Sequence, residues 1–332
     1  MFRYPPRLDR RTFMRTTAST LALLPAFRAE TLAGLLVPAR SRVAVVHATD
    51  RAAGVAAVLK LLNPSGMRDK RVVIKPNFNS ADETPASTHN DTLTQVVREM
   101  QERGARSITL AESSGPPKTR SVMEAKGTFD LGRDHRFDIV DFEQIAEADW
   151  VPFKSDNTHW TNGFALPRVI VDAEYLVSTC CLKTHGSGGV YTMSLKLAVG
   201  LTPKTIRRDM HRSPDMRRMI AELNTGYRPN LIVLDGVAAF TDGGPSKGEL
   251  KAGNVMIAGS DRVAVDAVGL AMLKHLGANQ AIMSRGVFEQ EQMARAVELG
   301  LGAAGPDAIE IVSDAGEGKA VADSLRTILA AG

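Results

Sequence analysis

Cysteine is nearly absent from this sequence. Only Cys180 and Cys181 occur in 332 residues, and they are neighbours. A disulfide wants Cα atoms about 5.5 Å apart, more than the ~3.8 Å of one peptide step, so the two do not bridge. No C-x-x-C array exists, so this chain carries no iron-sulfur cluster motif. The surrounding AEYLVSTCCLK is apolar and β-branched, and both thiols read as core groups of a buried strand. A dominant charge is also missing: 41 Lys and Arg face 37 Asp and Glu, a formal net charge of +4. A nucleic-acid footprint needs a clustered basic face. The visible cluster, KTIRRDMHRSPDMRR at 204–218, is interrupted by aspartates and methionines, so no nucleic acid is expected as a partner. Long apolar runs are lacking as well. The N-terminal one spans only Leu21 to Phe27, far short of the ~20 residues of a stable transmembrane span. With 44% hydrophobic and 23% charged residues, the composition is that of a globular chain with a large core.

What is present begins near the N-terminus. DRRTFMRTTASTLALLPAF places Arg10 and Arg11 together, Phe13 after them, Arg15 next, and then the short apolar stretch. This resembles a twin-arginine export signal, with Asp9 where Ser or Thr is usual and Met14 where Leu is usual. The resemblance implies a signal peptide and linker over 1–40, the twin-arginine translocase as a partner during export, and a periplasmic or extracytoplasmic destination. That route carries folded proteins, which suits a cofactor loaded in the cytoplasm. The folded part is then 41–332, read as a single α/β domain.

After residue 40, strand-like and helix-like segments alternate. RVAVVHA and RVVIKPN flank the helical spacing of RAAGVAAVLKLLN. DTLTQVVREMQERG reads as a helix capped by Asn90 or Asp91 and stopped at Gly104, and ARSITLAESSG as the next strand. EYLVSTCCLK, NLIVLDG and GNVMIAG are further strands. SDRVAVDAVGLAMLKHLG is a helix opened by Ser260 and closed by Gly277. The alternation predicts an α/β fold: an open, mostly parallel sheet covered by helices on both faces.

Ligands of such sheets collect beyond the carboxyl ends of the strands. Four predicted strand ends deliver Lys75 and Asn77, then Glu112 with Ser113 and Ser114, then Lys183, Thr184 and His185, then Asp235. HGSGGVYTMSLKLAVGL, 185–201, admits two periods. As a strand it sets Thr192, Ser194 and Lys196 on one face. As a helix, the preferred reading, it sets Val190, Met193, Leu197 and Leu201 in an apolar stripe, with Thr192 and Lys196 one turn apart. The GSGG loop would then lead to a helix N-terminus whose free N–H groups attract an anion near His185. His185 and His211 could ligate a metal alongside Asp235 or Glu112, although no His-x-x-x-His pair exists.

These pieces, VVIKPNFN, GARSITLAESSG, LKTHGSGGVYTMSLKLAVGL, PNLIVLDGV and AGSDRVAVDAVG, resemble in order and spacing the domain of unknown function 362 family. The resemblance covers about 43–276 and leaves 277–332 as a C-terminal extension. It implies that Lys75, Lys183, His185 and Lys196 converge with Glu112 and Asp235 on one pocket. Leu197 stands where relatives carry Asn, and the ferredoxin-like cysteine cluster of many relatives is absent. The expectation is an exported enzyme that binds a small anionic carboxylate or phosphate, with Lys183, His185 and Lys196 as catalytic groups. Lys75, Asn77, Glu112, Thr192 and Asp235 would bind the ligand. Two alternatives stay open: a non-catalytic anion-binding or assembly protein, and a redox enzyme loaded with a cofactor before export. The sequence names no cofactor.

Overall fold

Alternation along the strands builds two covered faces. The structure, a computed structural model, describes residues 40–332, and the paired arginines Arg10 and Arg11 lie outside the described residues. In β1 (Ser41–His47), Val43 and Val45 enter one core while Ala44 and Val46 enter the other. Both faces are apolar, as a sheet with helices on either side requires. The Ala44 face packs against helices Arg51–Leu62 and Asn90–Glu102, and the Val43 face against helices Arg262–His275 and Glu317–Ala331.

The remaining strands of the main sheet are β2 (Arg71–Lys75), β3 (Ser107–Glu112), β4 (Asp138–Asp141), β7 (Tyr175–His185), β8 (Val190–Thr192), β9 (Leu231–Gly243), β10 (Gly248–Gly259) and β11 (Ile309–Ser313). Between β4 and β7 the chain forms a small separate pair, β5 (Trp150–Phe153) with β6 (Phe164–Pro167). The main order is β11-β1-β10-β9-β7-β2-β3-β4, with β8 added to β7. Pairing is parallel except where β10 meets β1 and β9 and where β8 meets β7. The fold is therefore α/β with a mostly parallel sheet, as the sequence predicts. A third core, built on Val73, Ala111 and Leu176, is closed by helix Met216–Leu223, Trp160 and Phe164. Among the described residues no helix is long and apolar enough to cross a membrane.

Local details depart from the sequence reading. The N-cap of Asn90–Glu102 is His89, whose Nδ1 accepts from the Asp91 N–H, so the cap lies one residue before Asn90. The N-cap of Arg262–His275 is Asp261, which accepts from both Val263 and Ala264, in place of Ser260. β9 does not stop after Asp235: GVAAFT is apolar enough to continue the strand into a long hairpin with β10. Asp235 is consequently a mid-strand residue.

Candidate functional site

Two strands of unequal length create the opening. β2 ends at Lys75, paired with Ser178, because Pro76 has no N–H to continue the ladder. β7 runs on to His185, and β8 takes the vacated edge, with Lys183 opposite Thr192 and His185 opposite Val190. A cavity of about 750 Å³ lies beyond the end of β2, walled by the β7–β8 hairpin, helix Lys204–Arg212 and the β9–β10 tip at Pro245 and Ser246. Lys75, Asn77, Glu112, Lys183, His185, Thr192, Lys196 and His211 all line it. Asp235 does not. Its buried carboxylate accepts from Arg51 Nε at 2.9 Å, Thr92 Oγ1 at 2.7 Å and Val237 N at 3.1 Å, a structural network away from the cavity.

The lining charges are unevenly partnered. Lys75 donates to Glu112 and to the Pro76 carbonyl. Glu112 also accepts from the Phe78 and Ser113 N–H groups. Lys183 donates to the Ala86 carbonyl at 2.6 Å. Burial holds its ammonium down to about 8. Lys196 is only 7% exposed. Among the described residues it alone of the cavity's four lysines makes no hydrogen bond or ion pair: Lys204 reaches Glu143 at 2.7 Å and the Pro117 carbonyl at 2.5 Å. Burial first, then Lys183 and Arg207, pull Lys196 down to about 7. A buried charge without a partner is costly, so a position of this kind either binds an anion or carries a neutral amine.

The two histidines are held in opposite tautomers. The Gly189 N–H donates to His185 Nδ1 at 3.3 Å, so Nδ1 is bare and Nε2 carries the proton. Burial, reinforced by Lys196, His211 and Lys183, lowers His185 to about 2, which keeps it neutral. His211 Nδ1 lies 2.7 Å from the Arg207 carbonyl oxygen. A carbonyl only accepts, so Nδ1 carries the proton and Nε2 offers its lone pair. The ring centroids are 6.5 Å apart. The pair thus offers one donor and one acceptor to whatever occupies the cavity. Asn77 Oδ1 and Thr192 Oγ1 are buried and have no hydrogen-bond partner among the described residues.

Residues 185–201 combine both predicted periods. GSGG enters β8, and a helical turn begins only at Ser194, running to Leu197 and on as a tighter turn to Leu201. The predicted anion-attracting N-terminus is already occupied: Asp266 accepts from the Ser194 and Leu195 N–H groups at 2.7 and 2.9 Å. The Ser194 and Leu195 N–H groups are therefore not free to receive an anion.

Helix Lys204–Arg212 carries, besides His211, basic groups that the sequence reading set aside as too mixed a cluster for nucleic acid and did not assign to the site. Lys204, Arg207, Arg208 and His211 follow i, i+3, i+4, i+7 spacing and so share one face, and with Arg212 all line the cavity. Buried Arg207 donates to Ser113 Oγ at 2.7 Å, the Ser114 carbonyl at 2.6 Å and the Thr202 carbonyl at 2.6 Å. The lining then holds Lys75, Lys183, Lys196, Lys204, Arg207, Arg208 and Arg212 against the single carboxylate of Glu112. Two glycines make room: a Cβ on Gly189 would sit 2.7 Å from Lys196 Cε and 2.9 Å from His185 Nδ1, and one on Gly200 would sit 3.0 Å from Lys75 Nζ. Among the described residues no group of three or more His, Cys, Asp or Glu could hold a metal ion, and Asp235 lies apart from both histidines.

A family model described as Domain of unknown function (DUF362) matches residues 72–271. The thylakoid-associated protein sll1697 of Synechocystis is 25% identical over 205 residues, 60% of this chain. The chain spans 61% of that relative's length. Among solved structures, the lactate racemase apoprotein of Thermoanaerobacterium thermosaccharolyticum is similar with a TM-score of 0.45 and 12% identity, over 85% of each chain.

Proposed function

The chain belongs to the family described as Domain of unknown function (DUF362), and from that premise we propose that it is an enzyme acting on a small carboxylate or phosphate compound in its cationic cavity. One observation carries this reading: the ammonium of Lys196 is buried, faces the cavity and has no partner among the described residues. Lys183 and Lys196 hold the anion, Thr192 Oγ1 donates a further hydrogen bond to it, and Asn77 Oδ1 accepts from a donor elsewhere on the substrate. Lys75 is already engaged by Glu112 and contributes its field. His185 Nε2–H donates a hydrogen bond to the developing negative charge, as a neutral imidazole can in a desolvated site. His211 Nε2 accepts the proton that the reaction releases. The bound carboxylate or phosphate offsets the repulsion among the cavity's cations, so binding stabilises the fold. The protein works outside the cytoplasm, delivered there in folded form through the segment around Arg10 and Arg11.

Thermal unfolding with phosphate, citrate, pyruvate and chloride tests the binding step. At matched ionic strength the multiply charged or carboxylate anions should raise Tm in the wild type and lose most of that effect in Lys196→Met. Equal shifts for all anions in both proteins would reduce the effect to general screening and overturn the reading.

A further inference from the structure

Lys196 differs from every other lysine of the cavity in what it is free to do. Lys75, Lys183 and Lys204 each donate to at least one carbonyl or carboxylate oxygen, while Lys196 donates to none among the described residues. The cavity's one carboxylate, Glu112, already accepts from Lys75, Phe78 and Ser113. The positively charged neighbours of Lys196 are Lys183 and Arg207, and its Cε packs so close to Gly189 that a Cβ there would lie only 2.7 Å away. An amine buried among cations, with nothing to hold its proton, is a nucleophile in waiting.

Resting on the anion-binding reading above, we infer that Lys196 forms an imine with the carbonyl carbon of a small anionic carbonyl compound, such as an oxo acid or a phosphorylated ketone. The Nζ lone pair attacks the carbonyl carbon, and a C–N bond forms as the carbonyl π electrons move onto oxygen. His185 Nε2–H hydrogen-bonds to that oxygen while charge builds. His211 Nε2 takes a proton from the nitrogen and returns it to the oxygen of the carbinolamine. As the C–O bond breaks, the nitrogen's second proton passes by way of His211 Nε2 to the departing hydroxyl, which leaves as water, and the nitrogen lone pair closes the C=N bond. Amine plus carbonyl become imine plus water, and no oxidant or reductant is required. The anionic group of the substrate lies against Lys183, which has donors left beyond the one given to Ala86. Burial favours the neutral amine that the first step needs, since Lys196 is held down to about 7.

The full-length protein incubated with borohydride and either pyruvate or dihydroxyacetone phosphate provides the test, read by peptide mass spectrometry. A reduced adduct should appear on Lys196 and be labelled at least ~tenfold above the exposed Lys60 and Lys154, because an unperturbed lysine is almost wholly protonated near neutral pH. Labelling should rise as pH passes through about 7 and vanish in Lys196→Met. Labelling by pyruvate alone would assign the oxo acid, and by the phosphate compound alone the phosphorylated ketone. If both compounds raise Tm but Lys196 stays unlabelled, or is labelled no more than Lys60, the imine is refuted and the binding reading survives. If neither compound shifts Tm nor labels Lys196, both fall.

Discussion

Replacing Lys196 by methionine should make the protein more stable, which is unusual for a substitution at a site residue. Burial has moved the ammonium from 10.5 to about 7. At about 1.4 kcal/mol per unit, that shift corresponds to about 5 kcal/mol of penalty on the charged folded form. Methionine keeps most of the apolar stem and removes the charge, so repacking costs little. If water entering the site relieves part of the penalty, about 3 kcal/mol should remain to be recovered. At about 2.1 cal/mol/K of unfolding entropy per residue, a unit spanning Arg40–Gly332 should then gain roughly 5 °C in Tm. The pH dependence follows from which state binds more protons. Between about 7 and 10.5 the unfolded lysine is protonated and the folded one is not, so wild-type stability climbs with pH across that window. The advantage of Lys196→Met should therefore be complete below about pH 7 and disappear above about 10.5. Guanidinium unfolding of both full-length proteins, at about pH 6 and again at about pH 10, measures both points. Equal stability at the lower pH would mean that water or a counter-charge solvates the ammonium, and the desolvated cavity would be refuted.

Gly189→Ala should abolish the thermal shift by anions while the circular dichroism of the fold is kept, because the new Cβ would collide with Lys196 Cε and His185 Nδ1; a full anion response would show that these groups yield easily. Cys180 and Cys181 are 1% and 0% exposed, and burial raises both thiols, so neither should react with a thiol reagent until guanidinium unfolds the chain; fast native labelling would contradict their place in the core. Asp266→Ala leaves the Ser194 and Leu195 N–H groups without their acceptor and should cost about 2–4 kcal/mol in a denaturant titration; a neutral result would mean that the turn finds another cap. Replacing Arg10 and Arg11 together by Lys should hold the protein in the cytoplasm, and cell fractionation that still finds it in the periplasm would remove the export proposal.

The strands and helices could be read from the sequence where one local rule decided them. RVVIKP announces both β2 and its end, because proline acts within one residue. DRVAVDAVGLAMLKHLG shows its cap and its stop in the same way, with only the capping residue displaced by one position. The cavity lining was legible at Lys75, Glu112 and His185, each the last residue of its strand, and at Lys183, two residues before the end of β7. Asp235 was not, since LIVLDG and GVAAFT are both apolar and nothing local says that the strand continues. The basic face of helix 204–212 was hidden by its aspartate and methionine. Those residues point elsewhere on the helix, and the 3.6 period separates them from Lys204, Arg207, Arg208 and His211. The Lys196 ammonium is held down first by burial and then by the charges of nearby Lys183 and of Arg207 from the following helix, and no short window of sequence shows the burial.

The β7–β8 hairpin and the turn after it carry Lys183, His185, Thr192 and Lys196 on one uninterrupted stretch, whereas Lys75 and Glu112 come from two other strands. The inner half of the cavity is therefore a cassette: its members keep their mutual spacing through ladder bonds and one capped turn, whatever the rest of the sheet does. A sliding or tilting of the hairpin would widen or narrow the cavity without scattering Lys183, His185, Thr192 and Lys196, while His211 stays with helix 204–212. The chemistry and the size of what is admitted can then drift separately. Substitutions at Lys204, Arg208 or Arg212 and at the β9–β10 tip would retune the latter while leaving the cassette as it is.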